Sequence, residues 1–248
     1  MCYNVQEVIT VLFYYVRHGE PIYKPDSLTP KGVEQAQALA KRLARFGFDR
    51  IYSSTSNRAI MTAQPTCDLL HMEPQLLDFA NESHAWNDLH YTDEEWGGRW
   101  LFHNPRIVEL FNSKEIRDLG ERWYDHPRFQ EYHYEQGMER IYKEADAFFE
   151  MLGYEHIRYT GKYQIKESND QRVALFAHQG FGLAFLSCLL DIPYPMLCTH
   201  FDLCHTGVTV IEFREYEGFA IPKILMLSSD SHLYAEGMST KYNNRIDI

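Results

Sequence analysis

The chain has 248 residues and a mass of 29.3 kDa, with 45% hydrophobic and 24% charged residues. These values are ordinary for a soluble globular protein, and they exclude the collagen, coiled-coil and disordered classes. The 24 basic and 35 acidic side chains give a formal net charge of −11. We therefore expect no general nucleic-acid-binding surface, and an anionic ligand must meet a local cluster of cations in a cleft.

The cysteines and the apolar runs indicate in which cellular compartment the protein is expected. The five cysteines are odd in number and irregularly spaced, which does not resemble a disulfide framework. The apolar run 8–16 lacks the basic start and the cleavage site of a signal peptide, and no stretch approaches the roughly 18 apolar residues of a membrane span. We expect a cytoplasmic protein without membrane contact.

The first elements alternate between strands and helices. Residues 8–16 are almost continuously β-branched, aromatic or aliphatic, which is typical of a strand buried on both faces. Thr29 and Pro30 then predict the start of a helix that runs to about Phe46 and is ended by Gly47. A strand at 49–53, a helix at 57–70 and a short strand at 75–79 follow.

The second half of the chain repeats this alternation. We predict an amphipathic helix over 138–152, a core strand over 172–177 and an apolar helix over 181–190, and strands at 208–213 and 223–227 complete the sheet. The alternation favours a three-layer α/β/α fold with a mostly parallel central sheet. We expect one domain over residues 1–248.

The composition changes between about residues 83 and 137. This segment contains all four tryptophans and five histidines, at positions 84, 90, 103, 126 and 133. Its readable periodicity is helical, so we interpret it as an inserted helical cap. The histidines are expected on the surface or in cap packing, and the tryptophans mainly in the core of the cap, although one or two at the cleft would suit an aromatic or apolar leaving group.

Polar side chains follow four of the predicted strands. Arg17 and His18 follow the first strand, Arg58 and Glu82 follow the next two, and His178 follows the strand 172–177. In parallel sheets a ligand binds outside the carboxyl ends of the strands. Two arginines, two histidines and a carboxylate at one edge form a set suited to phosphate, because guanidinium groups pair bidentately with oxyanions.

Five stretches then suggest a family. Residues 16–20 (VRHGE) resemble an RHG signature; residues 28–36 (LTPKGVEQA), 51–63 (YSS and RAIMTA), 176–180 (FAHQG) and 206–209 (TGVT) agree with further blocks of the same family in order and context. The chain thus strongly resembles the histidine phosphatase superfamily, also called phosphoglycerate mutase-like, of the branch 1 type. The resemblance covers roughly residues 8–82 and 172–213.

The resemblance implies a mechanism. His18 would attack phosphorus and become a phosphohistidine, while Arg17, Arg58 and His178 hold the phosphoryl oxygens. Glu82 would be the general acid and base, with Asp78 as the alternative carboxylate. No metal or cofactor is implied, because the cations of the site compensate the charge.

Three positions depart from the family pattern. Lys24 stands where an amide is common and is a candidate phosphate-binding residue or a solvated one. Gln179 follows His178 where the acid phosphatase branch has an aspartate, and His205 replaces an asparagine before the last strand. We interpret Glu20 as a loop-stabilising residue.

We therefore expect a metal-independent phosphomonoesterase that hydrolyses a small soluble phosphate ester. One alternative is a mutase, although the Glu-Arg-His-Tyr-Gly block of the cofactor-dependent phosphoglycerate mutases is missing after Glu82. Another is a non-catalytic phospholigand-binding protein. A zinc module built from Cys198, His200, Cys204 and His205 fits no standard ligand spacing.

Overall fold

The computed structural model describes residues 10–240 of the chain, so Cys2, Val8 and Ile9 lie outside the described residues. The strands are β1 (Thr10–Arg17), β2 (Pro21–Tyr23), β3 (Asp26–Leu28), β4 (Arg50–Ser54), β5 (Gln75–Leu77), β6 (His90–Asp93), β7 (Gly97–Trp100), β8 (Tyr154–Ile157), β9 (Lys162–Ile165), β10 (Arg172–Ala177), β11 (Val208–Tyr216) and β12 (Phe219–Ser229). The α-helices are α1 (Pro30–Leu43), α2 (Asn57–Leu70), α3 (Glu82–Leu89), α4 (Pro105–Phe111), α5 (Lys114–Leu119), α6 (Tyr134–Glu150), α7 (Gln179–Leu190), α8 (Tyr194–His200) and α9 (Ser231–Ala235).

Eight strands form the central sheet, in the order β5-β4-β10-β1-β11-β12-β9-β8. The first four are joined by parallel pairs and the remaining pairs are antiparallel. Because two successive antiparallel pairs restore the direction, six of the eight strands run the same way. The predicted α/β fold with a mostly parallel central sheet is confirmed, while the hairpin β8–β9 was not predicted.

Helices cover both faces of the sheet because β1 is apolar on both sides. Phe13 and Tyr15 belong to a core cluster that includes residues of α6 and α7, whereas Tyr14 and Val16 belong to a second cluster with residues of α1 and α2. Successive side chains of a strand point to opposite faces, so one strand supplies both cores. This arrangement is the predicted three-layer architecture.

The start of α1 follows from its capping residues. The Thr29 side chain accepts a hydrogen bond from the Gly32 amide at 3.0 Å, and Pro30 occupies the first turn, as predicted. The α-helix ends at Leu43, three residues before the predicted end at Phe46. Gly47 adopts a φ of 69°, in the left-handed region where glycine carries no side-chain penalty.

The segment 83–137 contains helices α3 to α5, several short 3₁₀ turns and the hairpin β6–β7. The helical prediction missed this hairpin, whose strands have only four residues each. Trp123 is 1% exposed, and its ring centroid lies 5.3 Å from that of Tyr134 and 5.7 Å from that of Tyr194. The core of this segment is therefore continuous with the core that contains α6 and α8. The extent of the domain and the cap remain predictions.

Within residues 10–240, we find no helix whose length and apolar character would allow it to cross a membrane.

Candidate active site

The register of two neighbouring parallel strands brings two histidines together. Arg17 at the end of β1 pairs with Ala177 at the end of β10, and the His18 amide donates to the Ala177 carbonyl at 2.9 Å. His18 and His178 are thus the next residue on each strand. Their ring centroids lie 5.2 Å apart, and the side chains are 1% and 0% exposed.

The loop after His18 is held by a close backbone contact. A side chain on Gly19 would lie 2.7 Å from the Gly32 carbonyl oxygen, so only glycine fits here. The Gly19 amide donates to Thr62 Oγ1 at 3.0 Å, and this hydroxyl donates to the Arg58 carbonyl at 2.7 Å. Three of the recognised sequence blocks therefore meet at one loop.

The ring of His18 has one nitrogen bound to the backbone and one without a partner among the described residues. Its Nδ1 lies 2.7 Å from the Gly19 carbonyl oxygen, which can only accept, so Nδ1 carries the proton and Nε2 keeps its lone pair. Burial, followed by the nearby His178 and Arg17, holds the pKa of His18 well below its usual range. The imidazole is therefore neutral at pH 7.

His178 is oriented as a hydrogen-bond donor. Its Nε2 lies 2.8 Å from Ser54 Oγ, and its backbone carbonyl accepts from the Tyr15 hydroxyl at 2.6 Å. Nδ1 is buried and has no hydrogen-bond partner among the described residues. Burial, reinforced by Arg58 and Arg17, lowers the pKa of His178 far below its usual value. When Nε2 accepts from Ser54, the Nδ1 proton is available to a ligand.

Two arginines flank the histidines and are fixed by different partners. Arg17 donates to the Leu203 carbonyl, and its Nη2 lies 3.1 Å from His205 Nε2. Arg58 lies in the first turn of α2 and donates to Asp26 Oδ1 at 2.8 Å. The Nε atoms of both arginines are buried without a hydrogen-bond partner among the described residues. Such unpaired buried donors are uncommon and favour an anion-binding role.

The structure distinguishes the two candidate carboxylates. Glu82 begins α3, and its Oε2 lies 3.1 Å from Arg58 Nη2 and 3.6 Å from His178 Nδ1. Its side chain is only 15% exposed. Asp78 has a side chain that is 77% exposed and pairs with His84 at 3.1 Å. The geometry places Glu82, and not Asp78, beside the two histidines.

His205 lies beside His18, and its neighbour Thr206 is bound by His232 near the end of the described chain. The ring centroid of His205 lies 5.7 Å from that of His18. Thr206 adopts a φ of 56°, its amide donates to the His18 carbonyl at 3.2 Å, and its hydroxyl donates to the His205 carbonyl at 2.7 Å. His232 Nε2 donates to this hydroxyl at 2.9 Å, while Arg42 donates to His232 Nδ1 at 3.3 Å.

Two other loop residues, Lys24 and Glu20, have different surroundings. Lys24 is exposed in the turn between β2 and β3 and forms no ion pair with another described residue. Its role in phosphate binding remains a prediction. Glu20 accepts from the Thr29 hydroxyl at 3.1 Å, and its amide donates to Gln35 Oε1 at 2.8 Å. Glu20 therefore stabilises the loop, as interpreted from the sequence.

The donor set favours an anion over a metal ion. One ligand atom each from His18, Glu82 and His178 lies within 4.8 Å of the others, and no other such cluster occurs in the described part of the chain. The carboxylate is already engaged by Arg58, and a second guanidinium lies nearby, so a divalent cation would meet two positive charges. The residues 198–205 do not assemble a zinc site among the described residues.

Sequence reasoning missed several supporting groups. Asp26 and Ser54 orient Arg58 and His178, and the Gly180 amide donates to Glu82 Oε1 at 3.0 Å. Gly180 lies in the first turn of α7, where backbone amides are free to bind a carboxylate. Gly180, two residues after His178, could have indicated this contact from the sequence. No sequence feature indicated the role of Asp26.

Comparisons with known proteins agree with this fold. A phosphoserine phosphatase structure from Entamoeba histolytica is 21% identical, covers 90% of this chain and 99% of its own, and has a TM-score of 0.57. An alpha-ribazole phosphatase structure from Shigella flexneri is 17% identical, covers 88% and 96% of the two chains, and has a TM-score of 0.56. Both likenesses establish the fold.

Sequence comparison identifies the family. A curated relative, the PE-PGRS family protein PE_PGRS11 from Mycobacterium tuberculosis, is 36% identical over an alignment of 87 residues, and the match covers 31% of this chain and 15% of that protein. The match thus spans a small part of the relative's length. The model of the histidine phosphatase superfamily (branch 1) matches residues 13–221. The chain belongs to the histidine phosphatase superfamily, branch 1.

Proposed function

We propose that the protein is a phosphomonoesterase that works through a phosphohistidine on His18 and needs no metal ion. One observation carries this proposal: a neutral imidazole with a free Nε2 lies among unpaired buried donors of Arg17, Arg58 and His178. Family membership and the fold of phosphatase structures support it. A dianionic phosphoryl group would satisfy these donors.

In the first step, His18 Nε2 attacks phosphorus and the bond to the ester oxygen breaks. Arg17 and Arg58 balance the charge of the phosphoryl oxygens, and the Nδ1 proton of His178 adds a hydrogen bond. Protonated Glu82 gives its proton to the leaving oxygen, so that an alcohol departs. The products of this step are the free alcohol, a phosphohistidine and the Glu82 carboxylate.

In the second step, the Glu82 carboxylate takes a proton from water, and the oxygen of this water attacks phosphorus. The bond to His18 Nε2 breaks, inorganic phosphate is released and His18 returns to its neutral form. Glu82 is protonated again and ready for the next substrate. Because the guanidinium groups supply the positive charge, the proposed cycle requires no metal ion or other cofactor.

The first experiment measures phosphate release from p-nitrophenyl phosphate in the presence of a chelator. We expect the wild-type protein to turn over and His18→Ala to lose about a thousandfold or more of the rate. His133→Ala, a change at an exposed histidine, is the matched control and should be unaffected. Turnover that depends on added metal, or that survives the loss of His18, would contradict the proposal.

A second experiment separates the alternatives. Rapid quenching with ³²P-labelled ester should trap an acid-labile, base-stable label on His18, and the label should pass to water. Transfer to a second hydroxyl of the substrate would instead support the mutase alternative. Phosphate binding without release from a broad panel of esters would support a non-catalytic protein.

We propose a cytoplasmic location and a small phosphate ester as partner. The four cysteines within the described residues, Cys67, Cys188, Cys198 and Cys204, are free and buried, which supports a reducing compartment.

A further inference from the structure

A cavity of about 520 Å³ adjoins the candidate active site. Gln179, which follows His178 directly, lines it together with Asp202. The lining is otherwise partly apolar and aromatic, with Leu183, Phe102, Phe201 and Val108, and partly polar, with His103, Thr199 and His200. The cavity therefore includes the residue next to the second histidine and offers an apolar surface.

An aromatic row links this cavity to Glu82. Trp100 lies directly on the first turn of α7, since a methyl group at Gly180 would be 2.3 Å from its Cζ2 atom. The Gly180 amide binds Glu82. Trp100 also stacks on Phe102, with ring centroids 5.6 Å apart and an interplanar angle of 17°. Trp100 therefore contacts both the helix turn that binds Glu82 and a residue that lines the cavity.

Asp202 presents a fixed acceptor in the cavity, beside Gln179. Its Oδ1 accepts hydrogen bonds from Gln179 Nε2 and, at 2.7 Å, from the Leu203 amide. Among the described residues, no hydrogen-bond donor or ion-pair partner contacts Oδ2. Asp202 is exposed. Burial lowers the pKa of the neighbouring Arg17, and the charges of Glu82 and Asp202 oppose this shift. The carboxylate is therefore oriented but retains a free oxygen beside the proposed phosphate-binding cluster.

The charges around the cavity are unequal. None of the described lining residues is a lysine or an arginine. His103 lines the wall, and burial lowers its pKa, so this imidazole is neutral at pH 7. The nearby Arg99 lies over the Trp96 ring and donates to the Trp96 carbonyl. In the proposed mechanism, the neighbouring Arg17 binds the phosphoryl group. A second negative charge on the alcohol portion would thus meet Asp202 in a lining that supplies no lysine or arginine to neutralise it.

We propose that this cavity binds the alcohol portion of the substrate, and that this portion is uncharged or cationic, carries an aromatic or apolar surface and donates a hydrogen bond to Asp202. The inference rests on the proposed phosphatase function and specifies its substrate class. It excludes esters whose alcohol portion bears a carboxylate or a second phosphate near the ester oxygen as preferred substrates.

The test compares three para-substituted phenyl phosphates that carry aminomethyl, methyl and carboxymethyl groups. The methylene spacer keeps the acidity of the three leaving phenols similar, so differences in kcat/KM report on binding of the charge. We expect the cationic ester to be the best substrate and the anionic ester to be about tenfold poorer than the cationic one.

Variants then assign the preference to Asp202. Asp202→Asn should reduce the ratio between the cationic and anionic esters to about twofold, and Asp202→Lys should reverse it. Asp118→Asn removes the same charge from an exposed aspartate on α5 that pairs with Lys114, and it should leave the ratio unchanged. Asp202 is itself exposed, so its variants are expected to fold.

The outcomes separate the two proposals. If the wild-type protein hydrolyses none of the three esters, the proposed phosphatase function fails. If it hydrolyses them but prefers the carboxymethyl ester, or if Asp202→Asn leaves the ratio as it was, the phosphatase function stands and the inference about the cavity is overturned.

Discussion

Glu82 accepts a hydrogen bond from the Gly180 amide at 3.0 Å, so a carboxylate at the start of α3 is bound by the start of α7. The second oxygen of the same carboxylate lies 3.1 Å from Arg58 Nη2 and 3.6 Å from His178 Nδ1. This contact connects the candidate general acid with the helix that follows the second histidine.

Replacing Glu82 by glutamine is expected to slow hydrolysis by about a hundredfold or more for esters with alkyl leaving groups, because the amide cannot supply the proton. The loss should be smaller for p-nitrophenyl phosphate, whose leaving group departs without help. Steady-state rates with both esters check this difference. Asp78→Asn is the matched control and should stay within about twofold of wild type; the reverse pattern would make Asp78 the acid.

Changing Gly180 to alanine is expected to destabilise the fold by about 1–3 kcal/mol, because the added methyl group would clash with the rigid Trp100 ring. Urea unfolding measures this loss. Gly98→Ala is the control, since the nearest atom there, Thr92 Oγ1, is 3.4 Å from the added carbon. If removing the ring in the double variant Gly180→Ala/Trp100→Ala recovers no stability, this explanation is wrong.

His232 is expected to support the reaction indirectly, by positioning Thr206. It donates to Thr206, whose amide and hydroxyl bind the carbonyls of His18 and His205. His232→Phe should lower kcat for p-nitrophenyl phosphate about three- to tenfold and cost about 1–2 kcal/mol of stability, because the Thr206 hydroxyl loses a buried partner.

The conservative variant gives the discriminating readout for His232. His232→Gln retains a donor and should recover most of kcat. Tyr234→Ala, on the same helix but at a residue that is 87% exposed, should change neither kcat nor KM. Equal losses of kcat in the Phe and Gln variants would argue against positioning through Thr206.

Stability is expected to fall as the pH drops below about 6.5. Burial lowers the pKa of His205 and His232 to about 3, and it lowers the pKa of His18 and His178 well below the usual range. The unfolded chain binds protons at these groups before the folded chain does, so acid favours unfolding. Each such histidine contributes a loss of about 2 kcal/mol between pH 7 and 5.

His156 has the opposite effect on the pH dependence of stability. Although burial opposes its charged form, its hydrogen bonds to Asp146 and Asp191 raise its pKa. Its stabilising contribution is therefore present below the unfolded pKa and is lost as the pH rises through the folded value. Burial also lowers the pKa of His103 and raises the pKa of Glu121 to about 7, so Glu121 favours the folded chain as the pH drops from 7 to 5. The net acid sensitivity is the sum over the five lowered histidines less the contributions of His156 and Glu121.

Urea unfolding at pH 7 and 5 measures the pH effect. His232→Gln should reduce the difference between the two unfolding free energies by about 2 kcal/mol, because one proton-binding site of the unfolded chain is removed. His133→Gln, at an exposed histidine, should leave the difference unchanged. An undiminished difference in His232→Gln would show that His232 does not take up its proton on unfolding.

The sequence by itself determined the strands that carry the candidate site. The apolar runs 8–16 and 172–177 predicted buried strands at the positions of β1 and β10, and parallel strands bring the residues after them to one edge. His18, His178 and Arg58 therefore lie close together, as the motifs indicated. Local information sufficed here because each of these residues directly follows a strand or starts a helix.

Only the tertiary structure decided which carboxylate lies beside the two histidines and Arg58, and which residues surround this cluster. Asp78 and Glu82 are four residues apart in sequence, and their roles separate because α3 turns one toward Arg58 and leaves the other in solvent. The contacts of Trp100 with Gly180 and of His232 with Thr206 join segments distant along the chain. No local pattern encodes such pairs, because they arise from packing of whole elements against each other.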